Sequence, residues 1–132
     1  MLIDDPTTLA EVRAAFDAYE AALMANDLDA LDALFWAADA VVRIGPGQNL
    51  YGIAAIRAFR ANRPGGSPRR DLLKVTITSF GRDFATATAE FQREGGTAPG
   101  RQSQTWVRVS EGWGPAGWRV VAAHVSLMGA GH

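Results

Sequence analysis

Tyr19 and Arg43 are the side chains in this sequence best suited to chemistry on a small acid. Tyr19 lies on an apolar stripe with Leu9, Val12, Phe16 and Leu23, spaced as one face of a helix, so its hydroxyl is carried towards the interior. Arg43 stands in the run "AVVRI" between aliphatic neighbours. An arginine is seldom buried without a partner, and its planar guanidinium grips both oxygens of a carboxylate at once. Simpler alternatives stay open for both. Tyr19 could be a core tyrosine with a satisfied hydroxyl, and Arg43 a solvent-facing strand residue or half of a structural ion pair.

Two further stretches add hydrogen-bonding groups. "GRQSQTWVRV", residues 100–109, opens with polar side chains on both faces, Arg101 and Ser103 on one and Gln102 and Gln104 on the other. A half-buried strand normally shows one apolar face. Its second half, with Trp106, Val107 and Val109, is ordinary strand sequence. The last run, "GWRVVAAHVSLM", alternates Trp118, Val120, Ala122, His124 and Ser126 on one face. His124 is the only histidine away from the C-terminal residue, Ala122 beside it leaves room for a ligand, and Ser126 could bond the same ligand. A structural histidine and a strand-capping serine are the alternatives.

The rest of the composition excludes whole classes of chemistry. There is no cysteine, which removes disulfides, thiolate nucleophiles and Cys-based zinc sites together. Two histidines, one of them terminal, give no metal-ligand spacing, and no cofactor motif, nucleophile elbow or phosphate loop is present. A net charge of −1 gives no general attraction to nucleic acid. "NRPGGSPRR" is basic, but it is a short loop without aromatics. Asp27, Asp29 and Asp32 are expected to be solvated helix charges. No apolar run approaches the roughly 20 residues that span a bilayer. "MLIDDPTTLA" lacks a hydrophobic signal core, so a cytoplasmic protein is the expectation.

These residues need elements to hold them. "TTLAEVRAAFDAYEAALMAND" predicts a first helix, with Thr8 as cap and Glu11 completing a capping box. "LDALDALFWAA" predicts a short second helix, "AVVRI" a strand and "GPGQN" a turn. A third helix starts near residue 53, with Ile53, Ile56 and Phe59 as its stripe, and ends at "PGGSP". Four strand-like runs follow, "LLKVTITSFG", "FATATAEFQRE", "RQSQTWVRV" and "GWRVVAAHVSLM", separated by glycine-rich turns at 81–83, 95–100 and 112–117. Consecutive strands with short turns form an antiparallel meander. Three helices before a long sheet predict an α+β domain over residues 1–132, the helices packed on the concave face of a curved, mainly antiparallel sheet. Such helices fill only part of that face, and the polar start of "RQSQTWVRV" is expected near the mouth of the remaining pocket.

The order of elements and the ending "GWRVVAAHVSLM" resemble the nuclear transport factor 2-like superfamily, also called SnoaL- or ketosteroid-isomerase-like. Within it, "NLYGIAAIRAFRANRP", "TSFGRDFATATAEFQRE" and "GRQSQTWVRV" are similar to the AtzH-like family over residues 9–128, although "EGWGPAGW" is longer than that family's usual turn. The resemblance implies a cone-shaped barrel, dimeric through its sheet, and a decarboxylating amidohydrolase acting on a small anionic ureido acid such as 1,3-dicarboxyurea to give allophanate. The family's catalytic tyrosine and arginine match Tyr19 and Arg43.

On this basis Arg43 is expected to hold a carboxylate and Tyr19 to transfer a proton, since a nearby cation favours the anionic form of a phenol. Gln104, His124 and Ser126 would orient the substrate, and water would be the nucleophile. A non-catalytic acid-binding module of the same fold is the alternative, and a structural partner of a larger amidase is a third. Tyr19, Arg43 and His124 are expected to share one pocket. A homodimer is expected to form through the convex face, with Val121, Val125 and Leu127 among its residues.

Overall fold

A computed structural model describes residues 1–109 and 117–129. Helix α1 spans Pro6–Ala25, α2 Leu28–Leu34 and α3 Ile53–Asn62. The strands are β1 (Val42–Ile44), β2 (Asn49–Tyr51), β3 (Arg70–Phe80), β4 (Phe84–Arg93), β5 (Gly100–Arg108) and β6 (Trp118–Leu127). They form one sheet in the order β2-β1-β6-β5-β4-β3. The meander of four long strands is antiparallel throughout, and β1 joins β6 in parallel. The architecture is therefore the α+β arrangement expected. The turn expected at 112–117 falls largely on residues 110–116, outside the described residues.

Local chemistry explains where the elements begin and end. Helix α1 starts one turn earlier than expected, because Asp5 rather than Thr8 is its cap. The Asp5 carboxylate accepts from the Thr8 amide at 3.2 Å and from the Thr8 hydroxyl at 2.8 Å, and Pro6 suits a first-turn position that needs no donor. Glu11 does not complete a capping box. It accepts instead from Arg108 and from the Trp118 indole. Helix α2 stops at Leu34, since Phe35 turns extended and bridges to Val120 while the Trp36 amide donates to the Val120 carbonyl. The turn after β1 closes a hairpin, so Asn49–Tyr51 is a short strand where the sequence suggested only loop.

The core lies between the helices and the inner sheet face. Val12, Phe16, Tyr19 and Leu23 from α1 cluster with Leu31, Leu34, Ile56, Trp106, Trp118 and Val120. Ala85, Ala87 and Ala89 of β4 belong to the same cluster and are almost wholly buried. Three small side chains in a row let a helix approach the sheet closely.

One irregularity decides which face β6 presents. Thr105 pairs with Ala122, but Trp106 pairs with Val120, so Val121 is an extra residue. A bulge of this kind breaks the two-residue alternation. Trp118 and Val120 point inward before it, and Ala123 and Val125 after it. Ala122, His124 and Ser126 therefore face outward. This corrects the expected inward row and also removes Val125 from the convex face.

Candidate active site

The structure brings Tyr19 and Arg43 together on the inner side. Tyr19 is 3% exposed and Arg43 8%. The ring of Tyr19 lies 6.1 Å from that of Phe35. Arg43 comes from the centre of β1, where it pairs across to Ala123 of β6 and Leu50 of β2. Its guanidinium lies over the Phe59 ring at 5.4 Å, and one of its terminal nitrogens is closed off from solvent without a hydrogen-bond partner. Gly45, just past the strand, lets the Gln48 side chain pack against the backbone beside Arg43, because a Cβ there would sit 2.1 Å from Gln48 Nε2 and 3.2 Å from the Arg43 guanidinium.

Arg43 is not alone. Arg60, Arg63 and Arg70 act on it electrostatically, and Arg93 acts on Arg63. Two of these cations are neutralised within the protein, Arg60 by Asp32 at 3.0 Å and Arg70 by Glu20. Arg43, Arg63 and Arg93 have no ion pair among the described residues, and each keeps a buried nitrogen without a hydrogen-bond partner. Burial pulls the Arg43 guanidinium below its ordinary range. Tyr19 opposes that fall, while Arg60, Arg63 and Arg70 deepen it. Arg63 shows the same pattern, with burial first, Tyr19 opposing, and Arg60 and Arg93 adding. A desolvated, self-repelling group of cations is costly until an anion joins it.

Gln104 belongs to this group and lies deeper than the expected mouth. Gln102 and Gln104 are 2% and 1% exposed, and the amide nitrogen of each lacks a partner. Across the sheet, Gln104 and Arg43 flank Ala123, since both pair with it. Arg43, Arg63, Arg93, Gln102 and Gln104 thus each leave a donor nitrogen unsatisfied, and such a set suits an oxygen-rich anion.

His124 and Ser126 do not join them. His124 is exposed on the outer face between Ile44 and Ser103. Ser126 accepts a hydrogen bond there from Arg101 at 3.3 Å. Both are removed from the substrate-binding set, and the bulge at Val121 is the reason.

Gln102 stood out in the sequence but was left outside the expected substrate-binding set, and Arg60, Arg63 and Arg70 were not foreseen. A signal for two of these arginines was present, because Arg60 and Arg63 follow Ile56 by four and seven residues and so share its stripe. Arg63 and Arg70 also bracket the basic stretch set aside as a loop. Nor are all the acidic residues of α2 merely solvated: Asp27 caps the helix and Asp32 holds Arg60. Among the described residues, no group of three or more His, Cys, Asp or Glu could hold a metal ion.

The α+β fold of this chain is shared by solved structures. A nuclear transport factor 2-like protein from Salmonella enterica shares that fold at a TM-score of 0.74 and 22% identity, covering 96% of each chain. More narrowly, the chain belongs to the AtzH-like family, whose model matches residues 1–131. It is similar at 51% identity to a protein of unknown function from Pectobacterium atrosepticum, with a TM-score of 0.89 over 96% of this chain and 95% of that one. A cystatin-like fold protein from Burkholderia xenovorans is 43% identical, also with a TM-score of 0.89, covering 97% of each chain. No curated protein matches.

Proposed function

We propose that this protein is an enzyme acting on a small anionic ureido acid, 1,3-dicarboxyurea or a close analogue, and removing a terminal carboxyl group. The observation that carries this reading is the set of buried donors without partners on the inner side, Arg43 and Arg63, which Tyr19 acts on electrostatically, with Gln102 and Gln104 two strands away on β5. Arg43 holds a carboxylate through its planar fork. The bond broken joins a ureido nitrogen to its carboxyl carbon. The bonding electrons stay on nitrogen, Tyr19 delivers the proton that nitrogen needs, and the carbon leaves as carbon dioxide, or as bicarbonate where water adds to it. The other product is allophanate. The working unit in this reading is a homodimer joined through the outer sheet face.

The test is release of carbon dioxide or bicarbonate from 1,3-dicarboxyurea by the purified protein, measured against the uncatalysed loss, with allophanate as the second product. Release above background that disappears in Tyr19→Phe supports the enzyme. Binding of a stable diacid without any release means that the same donors serve a non-catalytic acid-binding module.

A further inference from the structure

Gln102 and Gln104 are each held in one orientation by a partner that can only donate. The Trp106 indole donates to Gln104 Oε1 at 3.0 Å. Arg70 donates to Gln102 Oε1 at 3.1 Å. Neither an indole N–H nor a guanidinium can accept. Turning either amide over would set N–H against N–H, so each must send its NH2 group the other way. Arg70 is itself fixed: its side chain is 3% exposed, paired with Glu20 and laid over the Phe91 ring at 4.3 Å. The outcome is two amide nitrogens, two residues apart on one face of β5, both buried and both without partners.

Their position relates them to Arg43. Gln104 and Arg43 sit on either side of Ala123, two strand spacings or about 10 Å apart at the backbone. The alanine between them contributes only a methyl group. Gln104 and Arg43 thus lie on the same inner face of the sheet, with one short side chain between them.

We propose that Gln102 and Gln104 form a donor-only subsite that selects ligands by their far end, accepting a second carboxylate and discriminating against an amide or an amine. This rests on the reading that Arg43 holds the first carboxylate. A carboxylate offers acceptors on both oxygens. A primary amide must turn its own NH2 towards one of the fixed NH2 groups, and an amine brings only donors to a site that already holds unpaired cations. Gln102 and Gln104 are specificity-determining residues in this scheme, and Arg70, Glu20 and Trp106 are positioning residues that act through them.

The full-length chain can be titrated calorimetrically with malonate and with its half-amide, malonamate. The wild-type protein should prefer malonate by about tenfold or more, the size of one charge-assisted hydrogen bond. Gln102→Glu is isosteric, keeps an acceptor for Arg70 and replaces the NH2 group with a carboxylate oxygen. It should erase or reverse the preference. Gln104→Glu keeps the Trp106 contact and serves the same purpose should the first variant not fold. Arg43→Lys should weaken both probes alike and leave their ratio in place. A wild-type protein that binds both probes equally, or a folded glutamate variant that still prefers malonate, overturns the subsite while leaving Arg43 as the acid-binding group. A wild-type protein that binds neither probe overturns the acid-binding reading and this subsite with it.

Discussion

Arg43 and Tyr19 do different work in the proposed reaction, so their substitutions should fail differently. Arg43→Lys keeps a positive charge but loses the planar fork, and should weaken acid binding with the fold intact. Tyr19→Phe removes one hydroxyl. It should leave malonate affinity within a few-fold and lower the rate of carboxyl loss by roughly 10²- to 10⁴-fold, the usual size of a lost acid–base contribution. Binding calorimetry beside turnover separates the two, and a fully active Tyr19→Phe would end the proton-transfer role. His124→Ala and Ser126→Ala should leave turnover within about twofold, since both side chains face outward. Loss of activity in either variant with its oligomeric state unchanged would contradict the placement made by the Val121 bulge. Tyr19 and Arg43 were legible because each is polar within an apolar pattern. Gln102 and Gln104 were visible as a strand that broke its alternation. His124 was misplaced because a single extra residue reverses every later side chain, and nothing in "WRVVAAHVSL" marks where it falls.

Helix α1 must be held against the sheet for Tyr19 to reach Arg43, and Glu11 is one of its fastenings. The hydrogen bond from Arg108, joined by one from the Trp118 indole, holds the Glu11 carboxyl below the usual glutamate range even though burial pushes the other way. A carboxyl whose folded value is depressed contributes stability that is complete above its unfolded value, about 4.3, and is lost as pH falls through the folded value. Glu11→Gln should therefore lower the melting temperature at pH 7 and leave a shallower loss of stability in acid than the wild type shows. Identical acid slopes for the two proteins would discard this role. Gly100 supports the other end of the site. A Cβ there would lie 2.1 Å from the Phe91 ring, which carries Arg70 on its face. Gly100→Ala should cost about 1–3 kcal/mol in a urea titration and loosen the hold on Gln102. An unchanged midpoint would show that the ring moves aside freely. Element types followed from periodicity along most of the chain. The misses were short pieces settled by tertiary pairing, namely the three-residue β2 and the end of α2, where Phe35 leaves the helix to bridge Val120.

At the scale of the whole molecule, the helices cover one face of the sheet and leave the other open. That outer face holds a shallow cleft of about 240 Å³, and Val42, Ile44, Ser103, Thr105, Ala122, Ala123 and His124 line it. The surface there is built from aliphatic and short polar side chains, the mixture that suits a second protein surface better than bulk water. The proposed homodimer uses this face, with β1, β5 and β6 of one chain against the same strands of its partner. A two-fold contact of ordinary size would bury about 800 Å² on each side. Ala122 sits near its middle, pairing with Val42 on one side and Thr105 on the other, so a charge introduced there would be buried twice across the axis. Light scattering at micromolar concentration should give twice the 14.1 kDa of a single chain, and Ala122→Glu should return the mass to one chain without changing the circular dichroism. A wild-type protein at the mass of one chain would end the dimer proposal. An Ala122→Glu protein that stays dimeric would move the contact to another part of the surface.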